Sequence, residues 1–474
     1  MAKSAKSRQK QGKKRANKSS PKVRKVTSKK QFKSYKQAID YLHAKTDYEK
    51  QERLRYNVTT FNLTRMRKLL SLLGNPHKKI HTIHIAGTKG KGSTATMVAK
   101  MLEANDYKVG LYTSPHLVSL HERIMVNSRM VSENKMLGLM NRIYAPIEKL
   151  SKNDGPTFFE ILTSIAFMYF VDEQADIAVI ETGLGGRLDS TNVIKPKVVG
   201  ITSLSIDHQQ QLGDTLELIA KEKAGVFKRG IPIVTVEQKS EAMRVLKSEA
   251  ASVKAPLSVT GGDIDFSYRF EASAEHGPHT RICLTTETSK FEHLRVPLQG
   301  RHQAINCALA LAIVDKLKSR GFETDNNKTA EGLNKVKLLG RMEMICHDPR
   351  VLIDAAHNAD SIKALMFAIG QSIPYDSMVV IFGCNKDKDI EGMLDKLQYG
   401  ADKVIFTRSS SAKAMSPDQL AEMYTNMCSK MCQSAMSLGE ALRLANSAIG
   451  KEDLICITGS IYLIGQAKVR FQPN

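Results

Sequence analysis

A glycine-rich turn joining a strand to a helix limits this chain to few folds. Residues 80–86 alternate apolar and polar side chains as a half-buried strand does. Gly87-Thr88-Lys89-Gly90-Lys91-Gly92-Ser93-Thr94 follows, and residues 95–105 have helical spacing. Glycines let a backbone approach phosphate oxygens, and successive amides with a helix N-terminus bind the anion. Lys91 would reach the outer phosphates as a point charge, with the hydroxyls of Ser93 and Thr94 beside it. The string departs from G-x-x-x-x-G-K-[ST] twice: Ile85 stands at the first Gly, and Gly92 separates Lys91 from Ser93.

The rest of the chain repeats the same alternation. Helical spacing at 35–44 and 63–73 precedes the loop. Short β-branched runs at 109–113, 177–181, 198–204 and 231–236 read as strands, with helices at 159–171 and 215–227. This is the pattern of a mostly parallel, doubly wound sheet. Residues 255–298 break the rhythm with alternating runs at 264–270, 281–286 and 293–296, a small antiparallel addition. Residues 301–318 return to helix. Beyond Gly340, strands are expected at 342–346, 351–354, 378–383, 403–407 and 454–458, with helices between them that include 361–369 and 417–432. The polar stretch 319–329 lies before the seam, which is placed near Leu338. The expectation is an α/β chain: a P-loop NTPase-like doubly wound domain over 37–338, and a Rossmann-like α/β domain over 339–474.

Charge separates one segment from this frame. The formal net charge is +22, but residues 1–36 hold fifteen of the 70 lysines and arginines and no acid. The remainder carries 55 basic against 48 acidic groups. Residues 1–36, rich in Lys, Ser and Gln, cannot bury enough apolar surface to fold and are expected to be a disordered basic tail. Its charge would permit non-specific contact with nucleic acid or an anionic surface. No apolar run reaches the roughly 18 residues of a membrane span, and no apolar core follows the basic N-terminus as in a secretory leader. Seven cysteines, with no Cys-x-x-Cys pair, argue against a disulfide scaffold or a zinc ribbon. A cytoplasmic, monomeric protein is expected.

The motifs, taken in order, resemble the folylpolyglutamate synthase family, which includes bifunctional dihydrofolate synthases and belongs to the Mur ligase superfamily. After the glycine loop come Tyr112-Thr113-Ser114-Pro115-His116-Leu117 and Glu122-Arg123-Ile124, then Thr157-Phe158-Phe159-Glu160. Glu181-Thr182-Gly183-Leu184-Gly185-Gly186-Arg187-Leu188-Asp189 follows, then Asp207-His208 with Leu212-Gly213, and Glu222-Lys223-Ala224-Gly225. Gly300-Arg301-His302-Gln303 with Asn306, Gly340-Arg341, and Asp354-Ala355-Ala356-His357-Asn358 complete the series. The resemblance spans roughly residues 50–465. Ala355 departs from it, standing where the family usually has Gly; this adds a methyl group and leaves the hydrogen-bonding residues in place.

The resemblance implies roles. Thr88, Lys89, Gly90, Lys91, Gly92, Ser93 and Thr94 would cradle ATP, with Asn306, Arg341, Asp354 and His357 on its other side. Ser114, Glu181 and His208 would hold magnesium. Glu181 ends a strand before a glycine-rich turn, where open α/β sheets bind ligands. His208 is carried over by resemblance alone, because so hard a cation prefers oxygen. Lys223, read unaided, is a surface charge; the matching Lys of related enzymes is carbamylated, which would make it an oxygen ligand for a second magnesium. Thr157, Phe158, Phe159, Glu160, Leu188, Asp189 and Ser190 would line a pterin pocket, and Ser460 and Tyr462 would close the glutamate side. Lys91, His208, Lys223, Asp354 and His357 carry the implied catalytic roles. The activity implied is ATP- and Mg2+-dependent ligation of L-glutamate to a folate, with dihydropteroate left open as a second acceptor. The reading from another class is a P-loop switch or RNA-associated protein that uses the basic tail.

Overall fold

The computed structural model describes residues 32–47, 61, 63–150, 155–206, 209–273, 277–296 and 299–472. Two large sheets organise them. The first has eight strands, in the order Arg129–Met130, Ile124–Val126, Val109–Tyr112, Ile177–Glu181, His81–Ala86, Val198–Ile201, Ile233–Val236 and Leu257–Thr260. The last six pair in parallel, and the first two are antiparallel at the edge. Parallel sheets need cover on both faces, and alternation along the central strands supplies it. Ile177 and Val179 enter one apolar cluster with the helices Lys91–Ala104 and Arg301–Lys318. Ala178 and Ile180 enter another with the helix Phe158–Asp172. That last helix starts at a capping box, Thr157 with Glu160, and is buried nearly all round.

The second sheet has six strands, in the order Glu343–His347, Arg350–Ile353, Leu454–Thr458, Met378–Phe382, Lys403–Phe406 and Cys432–Ser434; only the first is antiparallel. Between the two sheets in sequence lies an antiparallel three-stranded sheet, Asp265–Ser273, Gly277–Thr285 and Lys290–Val296. Among the described residues no helix is long and apolar enough to cross a membrane, and all seven cysteines are free.

Several expectations are corrected. Residues 257–260 are not part of the antiparallel addition: Leu257–Thr260 pairs in parallel with Ile233–Val236 and ends the large sheet. The helix expected over 417–432 stops at Met427, and Cys432 opens an edge strand instead. The polar stretch before the seam runs into a helix, Asn326–Asn334, capped by Asp325 and packed on Lys91–Ala104.

The tail also ends earlier than composition implied. Phe32 is 7 % exposed and packs in the core with its ring 5.2 Å from Tyr41 and 5.4 Å from Tyr144. Its amide donates to Asn141 Oδ1 at 2.8 Å, and its carbonyl accepts from Asn141 Nδ2 at 3.1 Å. Ser34 then caps the helix Tyr35–His43. Residues 1–31 lie outside the described residues. Phe32→Ala should therefore cost about 3–4 kcal/mol in a denaturation experiment. Deletion of residues 1–31 should leave the midpoint and the activity unchanged while weakening retention on heparin at low salt. A Phe32→Ala midpoint equal to that of the parent would place Phe32 outside the core.

Candidate functional site

Four strands of the first sheet deliver their carboxyl ends to one place, where open α/β sheets bind ligands. His81–Ala86 runs into Gly87 at φ 144° and Gly90 at φ 85°, a region side-chain-bearing residues avoid. A Cβ on Gly87 would collide with Thr202, and one on Gly90 with the amide of Asn306. The amides of Thr88 and Lys89 both donate to the carbonyl of Ser203 at 3.1 Å, which shapes the loop from beneath. The helix Lys91–Ala104 begins here, so its first amides have no preceding carbonyl within the helix. Lys91 Nζ is 3.5 Å from the Thr88 carbonyl. Lys89 Nζ reaches across to Asp360 of the second sheet's domain at 3.0 Å.

Glu181 sits beside this loop, 3 % exposed, and accepts from the Ser114 amide at 3.0 Å. Burial pushes its carboxyl up, opposed by Lys91, the Ser114 amide, Arg341 and Arg123. A Cβ on Gly92 would stand 3.3 Å from Glu181 Oε2, so the loop and the acid are in near contact. The hydroxyls of Thr94, Thr182 and Thr202 are buried with no partner among the described residues. Lys223 is 4 % exposed and donates to the Gly87 carbonyl at 2.7 Å; it is not the surface charge its helix position implies. His208 lies outside the described residues. Among the described residues no three His, Cys, Asp or Glu side chains converge as a cage. Magnesium needs none, because it takes one or two carboxylates, waters and phosphate oxygens. A buried carboxylate, the Ser114 hydroxyl and unpartnered threonine hydroxyls beside a phosphate loop fit that ion.

A cavity of about 1310 Å³ opens between the two large domains. Of the residues expected at a pterin pocket, Thr157, Phe159, Glu160, Leu188, Asp189 and Ser190 line it, as do Ser114, Arg341, His357, Ser460 and Tyr462. Phe158 does not: it is 2 % exposed in the core, with the Arg123 guanidinium 5.6 Å from its ring. Glu160 is paired with Arg65 at 2.8 Å and accepts from the Thr157 amide. Asp189 is 4 % exposed and accepts from the Leu184 and Thr191 amides at 2.9 Å and from the Thr191 hydroxyl. Burial pushes its carboxyl up, and these donors oppose the shift.

The second domain supplies the opposite wall. Asp354 follows the strand Arg350–Ile353 and accepts from the amides of Met342 and Ala356, both at 2.9 Å. Burial raises its carboxyl, and Arg341 opposes that. His357 Nδ1 donates to the Ala355 carbonyl at 2.8 Å, which fixes the ring at the cavity wall. Asn306, 4 % exposed, lies against Gly90 and donates to Gln303. Thus the loop, Glu181, Lys223 and Asn306 form one cluster, and Arg341 and His357 face it from the second domain.

Several side chains here were given no role by the motif reading, although Arg123 and Asn358 stand inside its motifs. Arg65 lines the cavity and neutralises Glu160. Arg123 is 2 % exposed and donates to His116 Nδ1 at 2.8 Å. Asn358 and Asn385 line the second-domain wall, and Asn358 Nδ2 and Asn385 Oδ1 are buried with no partner among the described residues. His84, wholly buried, interrupts an apolar strand; a buried polar group needs a partner, and that was the one signal available.

The chain matches the Mur ligase middle domain over residues 85–314 and the Mur ligase glutamate ligase domain over 340–461. It is 33 % identical over 448 residues to the dihydrofolate synthase/folylpolyglutamate synthase of Bacillus subtilis, covering 93 % of this chain and 100 % of that protein. A solved structure of Mycobacterium tuberculosis folylpolyglutamate synthase complexed with ADP superposes with a TM-score of 0.84 at 30 % identity, over 93 % of this chain and 98 % of that one. An FPGS-AMPPCP-folate complex superposes with a TM-score of 0.79 at 29 % identity, over 93 % of this chain and 100 % of that one. With identity of this order running through both domains and the cleft between them, the chain belongs to the folylpolyglutamate synthase/dihydrofolate synthase family of Mur ligases.

Proposed function

We propose that the protein is an ATP-dependent ligase that joins L-glutamate to a folate in the interdomain cavity. The observation that carries this reading is the cavity itself, walled by a phosphate loop's neighbours on one side and by Arg341, His357 and Ser460 on the other. At about 1310 Å³ it exceeds the roughly 300–1,000 Å³ of a single small-molecule pocket. It has room for an acceptor and an incoming amino acid together.

The chemistry follows from what a carboxylate lacks. It is a poor acylating agent at neutral pH until one oxygen is made a leaving group. The folate carboxylate attacks the γ-phosphorus of ATP, ADP leaves, and an acyl phosphate forms. The glutamate amine then attacks the acyl carbon, the C–O bond breaks with its electron pair leaving on inorganic phosphate, and the proton lost by the amine passes to phosphate or water. No nucleophilic side chain is required. The amides of residues 90–94 and the Lys91 ammonium hold the transferring phosphate, where positioned charge is the main source of rate. Asn306, Arg341, Asp354 and His357 hold the rest of the nucleotide. Ser114, Glu181 and His208 would hold magnesium, which supplies charge neutralisation at the phosphates when bound. Lys223, carbamylated, would offer a second oxygen site; the modified nitrogen keeps one N–H with which to hold the Gly87 carbonyl. Thr157, Phe159, Leu188, Asp189 and Ser190 form the folate wall, and Asn358 and Asn385 offer an open donor and acceptor on the side of the incoming glutamate.

The test is ADP release by the purified protein with dihydropteroate and tetrahydrofolate assayed side by side. Release should depend on both L-glutamate and a pterin substrate. ADP formation indifferent to both would replace the ligase with a nucleotide switch.

A further inference from the structure

A buried polar chain leads from the first sheet to the wall proposed for the folate. His84, in the middle of the strand His81–Ala86, is 0 % exposed. Its Nε2 is 2.8 Å from the Thr191 hydroxyl, and that hydroxyl donates to Asp189 Oδ1. A hydroxyl has one proton. With that proton directed at Asp189, Thr191 can only accept from the ring, so His84 carries its hydrogen on Nε2. The other nitrogen, Nδ1, has no partner among the described residues. Burial, helped by the nearby Lys228, pushes the imidazole down to about 3, so the ring is neutral throughout the physiological range.

The next residue of the loop is anchored in the same way. Lys228 Nζ donates to Asn192 Oδ1, and Asn192 Nδ2 donates to the carbonyls of Arg187 at 2.9 Å and Gly225 at 3.0 Å. Thr191 and Asn192 are therefore gripped from the sheet and from the residues after the helix Leu216–Ala224. Asp189 and Ser190 face the cavity above them.

We propose that His84 is a positioning residue for the acceptor substrate: through the Thr191 hydroxyl it fixes the carboxylate of Asp189 in the cavity wall. The chain of donation runs from His84 Nε2–H to Thr191 and from Thr191 O–H to Asp189. It serves acceptor binding and leaves ATP binding alone: among the described residues the hydrogen bonds of the chain run to Leu184 and Thr191 and not to residues 87–94. This inference rests on the reading that the wall containing Asp189 receives the folate.

Steady-state kinetics of His84→Leu, His84→Gln, Thr191→Val and the Leu/Val double variant test it, with thermal melts to confirm folding. His84→Leu and Thr191→Val should each raise KM for the folate by about tenfold, the scale of one buried hydrogen bond, with KM for ATP within about twofold of the parent. His84→Gln, which keeps a donor near the Nε2 position, should recover most of the loss. The double variant should be no worse than the worse single one, since both break one chain. Nitrogen-15 spectra of the histidines should show a neutral Nε2–H ring for His84. Additive losses, equal changes for ATP and folate, or an Nδ1–H ring would overturn the proposal. If His84→Leu and Thr191→Val fail to fold, the tautomer of His84 in the parent protein and the KM pattern of the donor-keeping His84→Gln still decide it. Asp189→Asn separates the two claims. An unchanged folate KM in that variant removes the folate wall itself, whereas a raised KM there with none in His84→Leu or Thr191→Val removes only the relay.

Discussion

Lys91→Ala protein will melt with the parent and turn over about a hundred- to a thousandfold more slowly, the loss expected when one preorganised charge is removed from a transition state. The side chain is half-exposed, its nearest recorded partner is the Thr88 carbonyl at 3.5 Å, and it belongs to no apolar cluster. Deleting it therefore removes little that holds the fold. What it removes is a cation at the start of a helix, where the first amides suit a bound anion. The loss should fall mainly on kcat if Lys91 meets charge that develops during transfer, and on KM for ATP if it binds ground-state phosphate. Near-parental ligation by a folded Lys91→Ala protein would take the glycine loop out of the mechanism.

Lys223→Ala will lose most turnover, and a small carboxylic acid in the assay will restore part of it. Here the structure adds a cost that helix position alone did not predict. Lys223 is 4 % exposed and its Nζ donates to the Gly87 carbonyl at 2.7 Å. Removing it leaves a buried carbonyl without that donor, worth about 1–3 kcal/mol of stability. Two roles must therefore be separated. A merely structural prop for Gly87 would lower the melting point and the activity together, and acetate would restore neither. A carbamate ligand predicts rescue of turnover without rescue of the melting point. It also predicts a carbonyl resonance from labelled carbon dioxide in the native parent that is absent from Lys223→Ala. An unmodified Lys223 in active, metal-loaded enzyme would remove the carbamate and leave the prop.

Local pattern carried much of this molecule. The strands Ile177–Glu181 and Leu454–Thr458 and the helix Arg301–Lys318 could be read to the residue because β-branched runs and helical periodicity are properties of neighbours in sequence. The glycine loop was equally plain, since positive φ at Gly87 and Gly90 is a local demand. The errors came where a partner far along the chain decides. Leu257–Thr260 looks like its antiparallel successors, and only an open edge beside Ile233–Val236 makes it parallel. The edge strand Cys432–Ser434 forms because Lys403–Phe406 offers a partner, against a local pattern that would carry the helix onward. Phe32 belongs by composition to a basic tail and by position to a core, because Tyr41, Tyr144 and Asn141 wait for it.

The same division runs through the site. Residue types in order named the family, the phosphate loop and the acid at the strand end, because glycines and strand-terminal acids are constrained where they stand. Pairing across the chain decided the rest. Arg65 meets Glu160 over 95 residues, His84 meets Thr191 over 107, and Lys223 meets Gly87 over 136. Lys89 meets Asp360 over 271. None of these partners can be read from periodicity, since a hydrogen bond depends on two side chains arriving within about 3 Å. The sequence by itself determined most of the elements and the chemistry they carry, because both rest on neighbours along the chain. Only closure of both sheets decided which buried charge faces which donor.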